Sequence, residues 1–358
     1  MTSFDFRPRT RILFGAGEFA RLGELAREQN ATRCLLLADQ GSVDVGHAQE
    51  AARSLKARRV DVFAFHDFTT QPTVAMVEAA REYAAPQAVN LVVGLGDGST
   101  LDFAKAVNVV IANGGSIRDY RGYGNVPKPL LPMIAVPTTA GSGSEAQGSA
   151  VIIDPDGHSK MICGDPKIFF RTAILDPKLT LGQTAAATAA NGYEAISHAV
   201  ETLLSTRRTP ISECFSREAW RLLEANFVRA MQVPEDLGAR GALLLAAHLA
   251  GLAIEYAALG PAHACAQPLV ENYKMPQGVA AALVLAPALE WLEDGLGWAP
   301  RLRELAGAGD LPRSLGDASV PEQVLPRLAE EAAAQWSGRF SSRHFDAEAA
   351  LEIYRSAY

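Results

Sequence analysis

The feature that most constrains this chain is an alternation in its first half, where short apolar runs are separated by stretches with helical spacing. Residues 11–14, 34–38, 60–65 and 90–93 have the length and aliphatic content of buried strands. The stretches 19–28, 46–58 and 73–83 repeat apolar residues every three or four positions. This strand–helix rhythm predicts a parallel sheet covered by helices, which residues 133–136 and 150–153 extend. From about Leu181 the texture changes. Ala-rich helical stretches at 185–205, 211–231 and 236–259 are followed by shorter ones to Tyr358. The expected organisation is an α/β domain over 1–182 and an all-helical domain over 183–358. Residues 293–322, rich in Gly and Pro, read as a loop or a weak helix pair.

Composition narrows the function classes. With 358 residues and 48% hydrophobic content, two cores can be buried and disorder is excluded as the main state. Lys plus Arg is 33 against 40 Asp plus Glu, a net charge of −7, and no basic stripe is present. That balance disfavours nucleic acid and anionic membrane as partners. The apolar stretches are interrupted before the roughly 20 residues a membrane span needs. Residues 1–11 carry Asp5, Arg7, Arg9 and Arg11 and lack the apolar block of a signal peptide. Cys34, Cys163, Cys214 and Cys265 are widely spaced with no CxxC pair, which suits isolated buried thiols in a reducing cytoplasm.

Two glycine-rich loops follow strand candidates. In Asn90-Leu-Val-Val-Gly-Leu-Gly-Asp-Gly-Ser99 a strand runs into glycines and then into the helical stretch 101–107. Glycines let backbone N–H groups approach phosphate oxygens, and a helix N-terminus adds its positive dipole end. Pro137-Thr-Thr-Ala-Gly-Ser-Gly-Ser-Glu145 is the second loop, with hydroxyls suited to a phosphate, a ribose or a ring amide. Either loop alone is also an ordinary tight connection. Two at strand ends of one α/β domain point to a ligand at the carboxyl edge of the sheet. Asp39 ends an early strand, where an acid accepts from ribose hydroxyls and repels a 2′-phosphate, favouring NAD over NADP. A plain surface-turn aspartate is the other reading.

Histidines form the third signal. Glu194 and His198 are spaced i, i+4 in a helical stretch, so they share a face and can hold one cation together. An ordinary surface pair has the same spacing. His263, in Pro261-Ala-His-Ala-Cys-Ala-Gln-Pro268, lies among small residues and reads either as a satisfied core histidine or as a site residue. His248 reads as a helix histidine, and His47, His66, His158 and His344 carry no signal.

Taken together these residues resemble the iron-containing (group III) alcohol dehydrogenase family over essentially the whole chain. The family's GGGSPxDxAK appears as Gly96-Asp-Gly-Ser-Thr-Leu-Asp-Phe-Ala-Lys105, its PTTAGTGSE as Pro137–Glu145, and its DP after a strand as Asp176-Pro177. The resemblance implies an N-terminal Rossmann-like α/β domain, an all-α C-terminal domain, bound NAD(P) and a divalent metal, iron or zinc. It implies coenzyme contacts from Asp39, Gly96, Gly98, Ser99, Asp102, Thr138 and Thr139, with Lys160 and Leu179 at two further positions. The family's metal pattern is one Asp and three His, with an auxiliary His beside the nicotinamide. Here the metal positions read Glu194, His198, His263 and Gln277, and the auxiliary position is Gln267.

Glu for Asp adds a methylene of reach, and Gln for His swaps imidazole for a weakly ligating amide oxygen. Metal affinity is therefore expected below the family norm, and whether a metal is bound stays open at this point. The function implied is NAD(H)-dependent interconversion of an alcohol and an aldehyde or ketone. His198 and His263, protonated, or Gln267 would act at the substrate oxygen. An NAD-binding protein without turnover and a cyclase-type enzyme using NAD transiently are the alternatives. Small alcohols or carbonyls and a second copy of the chain, as a homodimer or larger, are the expected partners. Gln147, Ser149 and Asn272 are further candidates for lining the substrate site.

Overall fold

The computed structural model describes residues 4–69, 71–154, 159–293 and 297–358, so His158 lies outside the described residues. The chain forms two compact units. The α/β unit comprises 7–139 and 144–182, and the helical unit 4–6, 140–143 and 183–358 among the described residues.

The α/β unit runs β1 (Arg11–Phe14), α1 (Leu22–Glu28), β2 (Arg33–Ala38), α2 (Gln40–Asp44), α3 (His47–Ala57), β3 (Asp61–Phe65), α4 (Val74–Ala84), β4 (Leu91–Gly96) and α5 (Gly98–Asn113). It continues with β5 (Gly122–Tyr123), β6 (Met133–Pro137), β7 (Ser149–Asp154), β8 (Ser159–Gly164) and β9 (Thr172–Leu175). Six strands make one parallel sheet in the order β1-β9-β6-β4-β2-β3. β2, β4, β6 and β9 are buried almost throughout because helices cover both faces of a parallel sheet. One layer of the core packs Leu36, Ala38, Val93, Leu95, Ile134 and Val136 against Leu22, Leu25, Ala51 and Leu55 of α1 and α3.

One expectation is corrected here. Residues 150–153 do not extend the parallel sheet. β7 pairs antiparallel with β8, and β5 joins β8 to make a separate three-stranded sheet. The alternating burial of β7 is the mark of a strand with one covered face, as an antiparallel hairpin has.

The helical unit contains α6 (Ala185–Leu204), α7 (Pro210–Gln232), α8 (Leu237–Tyr256), α9 (Pro261–Tyr273), α10 (Gln277–Leu292), α11 (Ala299–Ala308), α12 (Leu325–Ala333) and α13 (Ala347–Ser356). Their starts are written locally. Thr184, Thr209, Asp236 and Asp346 accept from the amides of Ala187, Ser212, Ala239 and Ala349. Phe6 stacks edge-on against Tyr256 at 5.2 Å, which ties the described N-terminal residues to this unit.

The region 293–322 yields one helix, α11, rather than a weak pair among its described residues. α8 also qualifies the sequence reading. At 20 residues and mean hydropathy 1.6 it is long and apolar enough to cross a membrane by length and composition, but it is 61% buried inside the unit. It is a core helix whose apolar faces are met by α6 and α7.

Candidate functional site

In the α/β unit three adjacent strands end side by side. Gly96 of β4 is in register with Pro137 of β6, and Leu95 with Ala38 of β2. The residues that follow, Asp39, Asp97–Ser99 and Thr138–Thr139, therefore gather at one carboxyl edge. That edge is where doubly wound sheets take their ligands. The Thr138 amide donates to the Gly96 carbonyl at 2.9 Å, joining the two glycine-rich loops. Gly96 has φ +155°, and a Cβ there would run into Asp39 Oδ2 and the Thr100 side chain, so only glycine fits.

Asp39 is held by its own loop. Oδ1 accepts from the Ser42 amide at 2.6 Å and caps α2, while Oδ2 accepts from the Asp97 amide and the Thr100 hydroxyl, both at 3.1 Å. Gly98 and Ser99 open α5, where amides lack an intrahelical acceptor and face outward as donors. A glycine cradle, outward amides and a strand-end carboxylate fit a dinucleotide.

Asp102 is spent inside the unit. It pairs with Lys105 at 3.2 Å and accepts from the Ser144 hydroxyl and, at 3.1 Å, from the Val151 amide. Lys105, which sequence reasoning passed over, is fully buried. Its ammonium also reaches Ser144 O and Oγ at 2.8 Å and Ser149 O at 2.6 Å, fastening α5 to the second loop and to β7. The i, i+3 spacing of Asp102 and Lys105 was the available signal. Lys160 lies on β8 opposite Ile153, and Leu179 is buried in the core of the unit. Asp176 is buried and organises the first turn, accepting from the Gly17, Phe19 and Lys178 amides.

In the helical unit, α6 carries Glu194 and His198, α9 carries His263 and Gln267, and α10 opens with Gln277. Gly278 brings α10 onto α6 so closely that a Cβ would strike the Ala190 carbonyl. Gly141 of the second glycine loop belongs to this unit and lies against Asn191 and Glu194. The His198 and His263 rings are 6.3 Å apart between centroids, so the structure brings the two imidazoles together. Gln267, 7% exposed, links the rest. Its amide nitrogen lies 3.1 Å from His263 Nε2 and donates to Gln277 Oε1 at 3.0 Å. With the Gln267 amide nitrogen turned towards it, His263 Nε2 is the acceptor in the tautomer that carries its proton on Nδ1.

His198 is 4% exposed and its Nδ1 has no hydrogen-bond partner among the described residues. Burial pushes its pKa down to about 4. One sequence expectation is corrected by this. Desolvation alone depresses the ring's pKa, so His198 is neutral at pH 7 rather than a protonated donor. Glu201, three residues beyond His198, went unnoticed in the sequence. Its buried carboxylate accepts from the Gly260 and His263 amides at 3.1 Å and so closes the start of α9. Burial pushes it up to about 7, against the pull of those amides.

Of the remaining candidates, Asn272 is engaged with the Pro268 carbonyl and Glu331. The cysteine expectation holds for Cys34, Cys163 and Cys265, whereas Cys214 is exposed.

The donor set does not fit the family's metal ion. Among the described residues no three His, Cys, Asp or Glu side chains converge to hold a cation. The Gln267 amide occupies His263 Nε2 and Gln277 Oε1, the lone pairs a cation needs there.

Comparison with known proteins agrees with the motifs. Residues 8–177 match the family described as iron-containing alcohol dehydrogenase, and residues 188–295 match the C-terminal part of the Fe-containing alcohol dehydrogenase family. The NAD-dependent methanol dehydrogenase of Bacillus methanolicus is 33% identical over 279 residues, covering 78% of this chain and 73% of that protein. Alcohol dehydrogenase 4 of Saccharomyces cerevisiae is 29% identical over 366 residues, 96% of each. A solved 1,3-propanediol oxidoreductase superposes with a TM-score of 0.95 at 26% identity over 100% of both chains. Sulfoacetaldehyde reductase from Bifidobacterium kashiwanohense, solved with NAD+, gives 0.90 at 25% identity over 100% of this chain and 99% of that one. The chain belongs to the iron-containing alcohol dehydrogenase family and is, by that membership, an NAD-dependent oxidoreductase of alcohols and carbonyls.

Proposed function

We propose that this chain interconverts a small alcohol and its aldehyde or ketone with hydrogen-bond donors standing where the family uses a metal ion. The division of labour is a coenzyme domain over 1–182 and a substrate domain over 183–358. Asp39, Gly96, Gly98, Ser99, Thr138 and Thr139 form the coenzyme cradle, with Lys160 as a further contact and the buried Leu179 packing beneath it. Asp102 acts through Lys105, holding the cradle's two loops together. When bound, NAD(H) takes or supplies the hydride at the carbinol carbon.

The chain's own residues govern the oxygen. In the oxidative direction the alcohol gives up its hydroxyl proton to water as its hydride leaves, and the developing negative oxygen needs donors. Gln277, whose Oε1 is fixed by Gln267, presents its amide N–H groups, and the neutral His198 ring offers one N–H. Gln267 and His263 hold that arrangement in place. The Gln267 bonds to His263 and Gln277 carry this reading, because they use the atoms a metal would require.

The test is NADH oxidation against a panel of aldehydes and ketones, with and without chelator, beside metal analysis of the purified protein. Turnover unaffected by chelator at well under one metal per chain is expected. Activity lost to chelator and restored by Fe²⁺ or Zn²⁺ sinks the metal-independent scheme. The cysteine spacing supports a cytoplasmic setting. A homodimer or larger is supported by edge strand β1, which leaves Ile12 and Phe14 exposed, and light scattering reads it directly.

A further inference from the structure

The coenzyme loop carries an acid that the family motif lacks. Where that motif reads Gly and Pro, this chain has Asp97 and Thr100. Asp97 is the N-cap of α5. Its Oδ1 accepts from the Thr100 amide at 2.9 Å and lies 3.0 Å from the Thr100 hydroxyl. Its own amide donates to Asp39 Oδ2 at 3.1 Å, and the same Thr100 hydroxyl lies 3.1 Å from that oxygen. One hydroxyl proton thus stands between two carboxylates. Burial raises the Asp97 carboxyl above its ordinary range, and the Asp39 charge adds to the rise against the opposing Thr100 bonds.

A strand–glycine turn–helix in a doubly wound sheet receives a dinucleotide's diphosphate at the first turn of the helix, through outward amides and the dipole. In this chain one first-turn amide, that of Thr100, is already taken, and a carboxylate is fixed beside the others.

We propose that Asp97 sets coenzyme affinity: its carboxylate, fixed beside the outward first-turn amides, repels the diphosphate. This chain then holds NAD(H) more weakly than the same loop with a neutral cap. The inference rests on the coenzyme assignment made above.

Asp97→Asn keeps a side-chain oxygen for the Thr100 amide and removes the charge, and Asp97→Ser repeats the test with a shorter neutral cap. Wild type and both variants are titrated with NADH by fluorescence, and with ADP-ribose and adenosine by competition. The Kd for NADH and ADP-ribose is expected to fall roughly tenfold in the variants. Adenosine, which carries no phosphate, is expected to bind them as it binds wild type, and Tm without ligand to stay within about 3 °C. Equal NADH and ADP-ribose affinities across the three proteins overturn the inference and leave the coenzyme assignment standing. So does an equal gain for adenosine, which marks a change of loop shape rather than of charge. Folded wild type and variants that take up no NADH at all overturn the coenzyme assignment, and the inference with it.

Discussion

The side chain with most at stake in the α/β unit is Lys105. A fully buried ammonium is tolerated only when its protons are satisfied and its charge is met. Asp102, the Ser144 carbonyl and hydroxyl, and the Ser149 carbonyl do both. Lys105→Met, close in volume, leaves Asp102 half-buried without its cation. The first unfolding transition in urea should lose about 3–5 kcal/mol, and a loss under about 1 kcal/mol would show that the ion pair is replaceable. The Gln residues of the helical unit make the opposite experiment available. Gln277→His restores a third imidazole beside Glu194, His198 and His263 and removes the acceptor for Gln267. Purified Gln277→His is expected to carry close to one zinc or iron per chain where wild type carries far less. Metal analysis showing no difference would mean that Gln277 is not what excludes the ion. These substitutions were legible in the sequence as departures from a motif. What Gln267 does was not, because its bonds to His263 and Gln277 depend on how α9 meets α10.

At the scale of the element, α9 starts in an unusual way. Its N-cap is Gly260, which has no side chain to offer, followed by Pro261 at the first helical position. The missing cap comes from α6, where Glu201 accepts the Gly260 and His263 amides. One helix therefore sets the position of His198 through its own backbone and of His263 through its Glu201 carboxylate. Glu201→Ala orphans those buried amides and should cost roughly 2–3 kcal/mol. It should also lower kcat with little change in KM for NADH. Glu201→Gln, which keeps an acceptor oxygen, should recover most of the kcat. If Gln recovers stability but not kcat, the residue does more than position α9. Sequence reasoning placed α6, α7 and α8 closely because their helical texture is local to each element, as are the caps Thr184, Thr209 and Asp236 that the structure adds. It passed over Glu201 because that cap acts on an amide 59 residues away. The error at β7 has a similar origin. Its apolar content reads as a strand, but only pairing with β8 decides which sheet it joins.

For the whole molecule, the two buried titrating groups of α6 pull the pH dependence of stability in opposite directions. His198 falls from 6.5 to about 4 on burial. Between those values the unfolded chain binds the extra proton, so this contribution is present above pH 6.5 and is lost as pH falls towards 4. Glu201 rises from 4.5 to about 7. Over that span the folded chain holds the extra proton, so its contribution is full below pH 4.5 and is lost as pH rises through 7. Each shift corresponds to about 3 kcal/mol, and the windows overlap, so in wild type the two slopes largely cancel between pH 4.5 and 6.5. Removing one group uncovers the other. In chelator-treated protein, the stability of Glu201→Gln relative to wild type should improve by about 3 kcal/mol as pH rises from 4.5 to 7. The cause is that wild type alone carries the carboxyl that resists ionising. His198→Gln should show the mirror image, with relative stability greatest at pH 4 and declining towards 6.5. Urea melts at four or five pH values read both differences. A flat difference for Glu201→Gln would mean that the Gly260 and His263 amides hold that carboxylate ionised despite its burial, and the wild-type profile would then follow His198 alone.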